Sequence, residues 1–165
     1  MPRFHPPTAG KSPKVGVGAF PSDRTWVFPV GQAVLWDILA TTDDYRCWWP
    51  WLRRFDAEEG LVVGARWTCV VAPPLPYTVK FHLDIQDVEP GCRVEACVSG
   101  DLSGTARLTI DGSKTASTVR LVSQLRPTNV VMRAFATVAR PAVEFGHGWI
   151  LDQGRRQFVE RALPE

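Results

Sequence analysis

This chain of 165 residues predicts an α+β fold, in which a curved antiparallel sheet is closed by one long C-terminal helix. Two observations carry the prediction. Between Leu52 and Arg126, apolar and polar residues alternate in short runs separated by turn residues, the signature of strands. From Asn129 to Ala162, apolar residues instead recur at helical spacing. A sheet of this kind, covered by a single helix, tends to enclose a cavity rather than a solid core. The length suits one domain with a real core.

The elements follow in order. Residues 1–22 are rich in proline and glycine without periodicity and read as a disordered leader, so the folded domain is expected over residues 23–165. Arg24 to Pro29 reads as a short strand through Trp26, Val27 and Phe28. Gly31 to Ala40 carries Val34, Leu35, Ile38 and Leu39 at helical spacing. Thr42, Asp43 and Asp44 supply an N-cap and acidic first turn for a second short helix. That helix runs into Trp48-Trp49-Pro50-Trp51 and stops at Pro50, because the residue before a proline leaves the helical region.

Leu52 to Glu58 and Ala65 to Val71 are the next two expected strands, followed by the breaker Ala72-Pro73-Pro74-Leu75-Pro76. The clearest strand comes next. Tyr77, Val79, Phe81, Leu83 and Ile85 alternate with Thr78, Lys80, His82, Asp84 and Gln86, so one face packs and the other meets water. Arg93 to Ser99, Thr105 to Asp111 and Ser117 to Arg126 complete the set. Their links are short, which argues for an antiparallel meander. Thr128 is the candidate N-cap of the last helix. Within that helix Pro141 should produce a kink, since proline removes a hydrogen bond and clashes with the preceding turn. Gly146, Gly148 and Gly154 weaken it by about 1 kcal/mol each. Their return is close approach of helix to sheet, or room for a ligand.

Composition excludes several classes. The formal net charge of +2 divides into +3 on residues 1–22 (Arg3, Lys11, Lys14) and −1 on the remainder. A domain so near neutrality has no electrostatic footprint for nucleic acid. The basic leader reads as a solubilising extension, with contact to anionic surfaces as the alternative. Cys47, Cys69, Cys92 and Cys97 contain no CxxC pair, and only three histidines are present, so no metal site is expected. Cys69 and Cys97 fall in apolar strands, where a reduced cysteine acts as a small hydrophobe. A reducing cytoplasm is the simplest setting. The first residues hold no apolar run suited to a signal peptide. No stretch approaches the roughly 20 apolar residues of a membrane span, so stable membrane insertion is not expected. No cofactor-binding or hydrolase motif of the GxGxxG, P-loop, GxSxG or HExxH type occurs, and no cofactor is expected.

The order strand, two short helices, six strands, long helix resembles the START-like superfamily, also called SRPBCC or helix-grip proteins and including polyketide cyclases and lipid-transport proteins. The residues that carry the resemblance are Val34 to Ala40, Trp48-Trp49-Pro50, Gly64-Ala65-Arg66-Trp67, Gly100 to Gly104, and His147 through Gly154 to Phe158. It runs from about Thr25 to Leu163. The resemblance implies a seven-stranded antiparallel sheet wrapped around the C-terminal helix, with an apolar cavity between them. It also implies a hydrophobic ligand such as a lipid or polyketide, held in that cavity. A polyketide cyclase or dehydratase is the enzymatic alternative, and a protein-interaction domain with a collapsed cavity is a third; a homodimer is compatible with each.

Candidate site residues follow from the inward faces. His147 is the one titratable residue on the inward helix stripe; it can orient a ligand carbonyl, serve as general acid or base near neutral pH, or simply hydrogen-bond the sheet. Leu151 and Phe158 share that stripe. On the sheet, Trp67, Val79, Phe81 and Leu83 face the same side. Tyr77 carries a hydroxyl that needs a partner when buried. Trp49 belongs to the densest aromatic patch, which either gates the cavity or plugs the gap beside the short helices. Asp101 is either a rim carboxylate paired with Arg66 or Arg107, or a turn residue capping its own backbone. His82 should face water.

Overall fold

The computed structural model describes residues 19–164; most of the segment read as a leader therefore lies outside the described residues. Seven strands form one antiparallel sheet: β1 (Phe20–Phe28), β2 (Leu52–Asp56), β3 (Arg66–Val71), β4 (Val79–Glu89), β5 (Arg93–Gly100), β6 (Leu102–Gly112) and β7 (Ser117–Pro127). The spatial order is β1-β7-β6-β5-β4-β3-β2, so β2 to β7 are a continuous meander and β1 closes against the last strand. Helix α1 (Gln32–Ala40), a 3-10 turn (Thr42–Asp44) and helix α2 (Tyr45–Trp48) connect β1 to β2. Helices α3 (Val130–Val138) and α4 (Arg140–Arg161) end the chain.

Strand β1 begins at Phe20, four residues before the expected start, and Phe20 pairs with Leu125. Pro21 lies in the segment read as a leader, but β1 is an edge strand, where a residue without an N–H is tolerated. Strand β6 likewise starts at Leu102 rather than Thr105. Only Asp101 separates the two strands, and Gly100, the last residue of β5, turns the chain at φ 115°. Asp101 sits in the turn but does not cap its own backbone, and it pairs with neither arginine. Its carboxylate accepts from the Lys80 backbone N–H at 2.9 Å. Arg66 and Arg107 pair instead with Asp84 and Glu95.

The expected single C-terminal helix is broken in two. Ala139, at φ −120° and ψ 38°, ends α3, and Pro141 sits in the first turn of α4. That is the position where its missing N–H is harmless, so the proline starts a helix rather than bending one. Asn129, not Thr128, caps α3: its side chain accepts from the backbone N–H of Val131 and Met132 at 2.7 and 3.1 Å. Thr128 donates instead to the Gly100 carbonyl.

Register explains why the sheet leaves space. Across the centre of the inner face Ile85, Ala96, Ala106 and Ser123 are successive neighbours. A second row runs Trp67, Leu83, Val98, Gly104 and Leu125. Large side chains thus sit toward β3 and β4, while alanine, glycine and serine occupy the middle of β5 to β7. Period two also corrects the reading of Cys97. With Ala96 and Val98 turned inward and buried, Cys97 is exposed, whereas Cys69 is buried as expected. His82 lies on the outer face, where its Nδ1 meets the Thr68 hydroxyl at 3.1 Å.

Two polar ties fix α1 across the sheet end. Gln32 donates to the carbonyls of Gly91 and Ile110 at 2.9 and 3.1 Å, and the buried Ser117 hydroxyl donates to the Val30 carbonyl at 2.6 Å. Leu35 of α1 is fully buried.

Candidate functional site

Between the inner face of the sheet and helices α3 and α4 lies a hollow of about 340 Å³. Its sheet side includes Trp67, Val79, Phe81 and Leu83, all expected there, together with Ala106 and Leu121. Helix α4 contributes Val143, Gly146, His147, Ile150 and Leu151; α3 contributes Met132. Tyr77 and Trp49 also line it, so eight of the nine expected ligand-facing residues border the same space. Phe158 is the correction. It is buried beyond the Trp49 ring, edge-on to Phe28 and Trp48 at 5.4 Å from each, and belongs to the packed core.

The two ends of the hollow are built differently. At one end the tryptophan cluster fastens α4. Trp49 donates its indole N–H to the Gly154 carbonyl at 2.9 Å, and Trp51 donates to the Gln157 side-chain oxygen at 3.0 Å. Arg161 reaches back to the Trp48 carbonyl at 3.1 Å. Trp48 itself is core, while Trp49 and Trp51 stack at 5.8 Å and face the hollow. The gate and plug readings therefore both describe part of this cluster. Beneath it, the buried Tyr45 hydroxyl donates to the Leu39 carbonyl, and burial pushes its pKa up. Burial, with the Asp56 carboxylate nearby, raises the Cys69 thiol to about 12, so it stays protonated and unreactive.

At the other end the polar atoms are not used up. A Cβ on Gly146 would sit 2.7 Å from the Tyr77 hydroxyl and 3.0 Å from Leu75, so only glycine lets α4 approach this loop. His147 is the next residue. Among the described residues no hydrogen bond reaches the His147 ring, the Tyr77 hydroxyl or the Ser123 hydroxyl, and all three residues border the hollow. Burial lowers the His147 pKa, and the positive charge of Arg24 lowers it further. His147 is consequently neutral at pH 7, with one ring nitrogen a donor and the other an acceptor. Burial raises the Tyr77 pKa, so its hydroxyl keeps its proton. Arg24 comes inward from β1 beside α4, 3.7 Å from Asp152.

Several lining residues lie outside the expected set. Phe20 falls in the segment read as a leader. Ser123 alternates with Leu121 and Leu125, so period two alone would have found it. Phe55 and Tyr45 are brought in by aromatic contact, stacking at 5.0 Å, which no local pattern encodes. No cluster of potential metal ligands occurs among the described residues, and no described helix is long and apolar enough to cross a membrane.

No family model and no curated sequence matches the chain. Solved structures do. A protein from Thermus thermophilus superposes with a TM-score of 0.72 at 10% identity, over 86% of this chain and 96% of its own. A START superfamily protein from Mycobacterium smegmatis gives 0.66 at 11% identity, over 86% and 96%. The Zhui aromatase/cyclase from Streptomyces gives 0.59 at 10% identity, over 88% and 99%. Identities this low speak to fold alone. The chain has the START-like, helix-grip fold: a curled seven-stranded antiparallel sheet, two short helices after the first strand, and a long C-terminal helix.

Proposed function

We propose that this protein binds a largely apolar, uncharged small molecule in the hollow between the sheet and α4, with the molecule's single hydrogen-bonding group at the Tyr77–His147 end. The observation that carries the reading is an almost wholly apolar wall interrupted by the His147 ring and the Tyr77 and Ser123 hydroxyls, none of them in a hydrogen bond among the described residues. His147 and Tyr77 are half-buried at the wall of the hollow, and polar groups free at an otherwise apolar wall suit an occupant that pairs with them. Ligand pockets of about 300–1,000 Å³, apolar with a few placed polar groups, are the common form of such sites. A neutral His147 at the wall favours an uncharged ligand.

The START-like fold of the neighbours supports a hydrophobic ligand, lipid or polyketide in character. The Streptomyces neighbour is by name an aromatase/cyclase. A cyclase-like activity here would rest on His147 as general acid or base, yet no second titratable group stands beside it in the wall apart from Tyr77, and binding is the better-supported role. Four free thiols fit a reducing cytoplasm.

Native mass spectrometry of freshly purified protein tests this. A co-purifying neutral mass, retained in the wild type and lost in Tyr77→Phe/His147→Ala, is expected. A protein that carries no such mass and binds no naphthol would contradict it. Turnover of a candidate substrate that vanishes in His147→Ala, with ligand affinity intact, would favour the enzyme instead.

A further inference from the structure

Helix α3 is apolar on the side that faces solvent as well as on the side that faces the hollow. Met132 and Ala136 are partly buried, whereas Val130, Val131 and Val138 are 78%, 75% and 88% exposed. With Ala134 and the half-exposed Phe135 they form one continuous arc at helical spacing. Phe135 meets Tyr77 edge-on at 5.6 Å, which joins α3 to the loop Ala72–Thr78, a segment without a single charge. Monomeric proteins rarely leave a helix face so apolar without a partner.

The charges around this face are mostly positive. Between Asp111 and Glu144 the chain has no acidic residue. Arg126 donates to the Ser103 hydroxyl and Arg133 to the Pro127 carbonyl, and neither meets a carboxylate among the described residues. Arg140, paired with Glu144, lies 5.7 Å over the Phe20 ring. The described chain therefore begins beside the start of α4, and residues 1–18 carry Arg3, Lys11 and Lys14 with no acid. Asp101, at the turn beside the start of α3, and Glu144, paired with Arg140, are nearby negative groups, and the Asp101 side chain accepts from the Lys80 backbone.

We propose that the exposed face of α3, with the uncharged loop beside it and arginines around it, docks the protein peripherally on an anionic lipid bilayer. Valine and phenylalanine side chains enter the headgroup boundary, and the cations meet anionic headgroups, the two attractions that hold interfacial helices. A second copy fits less well. A two-fold contact through α3 would bring Arg133 of both copies to one interface, with no acid on either helix to meet it. Docking does not depend on what fills the hollow.

Co-sedimentation of the full chain with vesicles of phosphatidylcholine, alone or mixed with phosphatidylserine, tests the proposal. Binding to the mixed vesicles, weak binding to phosphatidylcholine alone, and release by salt are expected. Val131→Glu/Val138→Glu, both at exposed positions, should abolish sedimentation while leaving the circular-dichroism melt and naphthol binding unchanged. Arg133→Gln should weaken binding about fivefold. The proposal is overturned if the wild type stays in the supernatant with both vesicles. It is equally overturned if the double variant still sediments, because the basic leader alone would then account for binding. Light scattering that shows a wild-type dimer made monomeric by the double variant, without vesicle binding, would assign the face to a second copy.

Discussion

The two halves of α4 meet the rest of the molecule in opposite ways. Around Gly154 the helix is fastened: indole N–H groups are spent on Gly154 and Gln157, and Phe158 fills the space between Phe28 and Trp48. Around Gly146 the helix is merely close: the Tyr77 hydroxyl and the His147 ring border the hollow and take part in no hydrogen bond among the described residues. The same helix thus supplies a structural end and a receptive end. Polar groups that are satisfied hold the fold together, and polar groups left unsatisfied mark where something else is to be held.

That contrast is most easily broken at the fastened end. Phe158→Ala should cost about 3–5 kcal/mol in urea unfolding, the range for deleting a buried aromatic. A loss below about 1 kcal/mol would mean that Phe158 faces open space after all. At the receptive end Gly146→Ala sets a clash with Tyr77 and Leu75 against the roughly 1 kcal/mol of helix propensity that alanine brings. Overpacking of about 1–3 kcal/mol should win. Adding Tyr77→Phe removes the 2.7 Å contact and should recover most of the loss, measured as a double-mutant cycle.

Smaller changes sharpen the comparison further. Trp49→Phe keeps a ring but deletes the bond to Gly154, and should cost about 1 kcal/mol of stability. Tyr77→Phe deletes a hydroxyl with no protein partner, so stability should move by less than about 0.5 kcal/mol. The two variants should differ in the opposite sense on binding. Tyr77→Phe should erase the preference for naphthol over naphthalene, whereas Trp49→Phe should keep it.

The least effect is the pH dependence from His147. Its folded pKa is lowered from the usual 6.5 by burial and Arg24, so below that value the unfolded chain takes up a proton that the folded protein refuses. Its contribution to stability is therefore complete above about pH 6.5 and falls as the medium becomes more acidic. His147→Asn should flatten this part of the profile in melts across that range.

The sequence was most legible where one period ran unbroken. In β4 the alternation from Val79 to Ile85 reports the buried face, because a strand's side chains have no third direction to take. It was least legible where a residue's usual meaning yields to its place in the sheet. Pro21 lies in the segment read as a leader but sits on an edge strand. Gly104 reads as a break, yet a Cβ there would lie 1.8 Å from the Gln124 carbonyl, so the close strand contact requires it. Pro141 reads as a kink and instead begins α4. The site followed the same division. The inward stripes gave Leu83, Leu151 and His147, which period alone locates. The bond from Trp49 to Gly154 spans 105 residues and has no local trace. For Phe158 the stripe was correct, but only packing shows that it continues past the hollow into the core.

The proposed ligand binding depends on an open space beneath α4 that takes an apolar guest. Ala106→Phe tests it most directly, because Ala106 lines the hollow from the middle of the sheet and a phenyl ring would occupy it. Fluorescence titration with naphthol should show saturable binding to the wild type and none to Ala106→Phe, with the melting temperature of the variant equal or higher. Undiminished binding in a folded Ala106→Phe variant would contradict it.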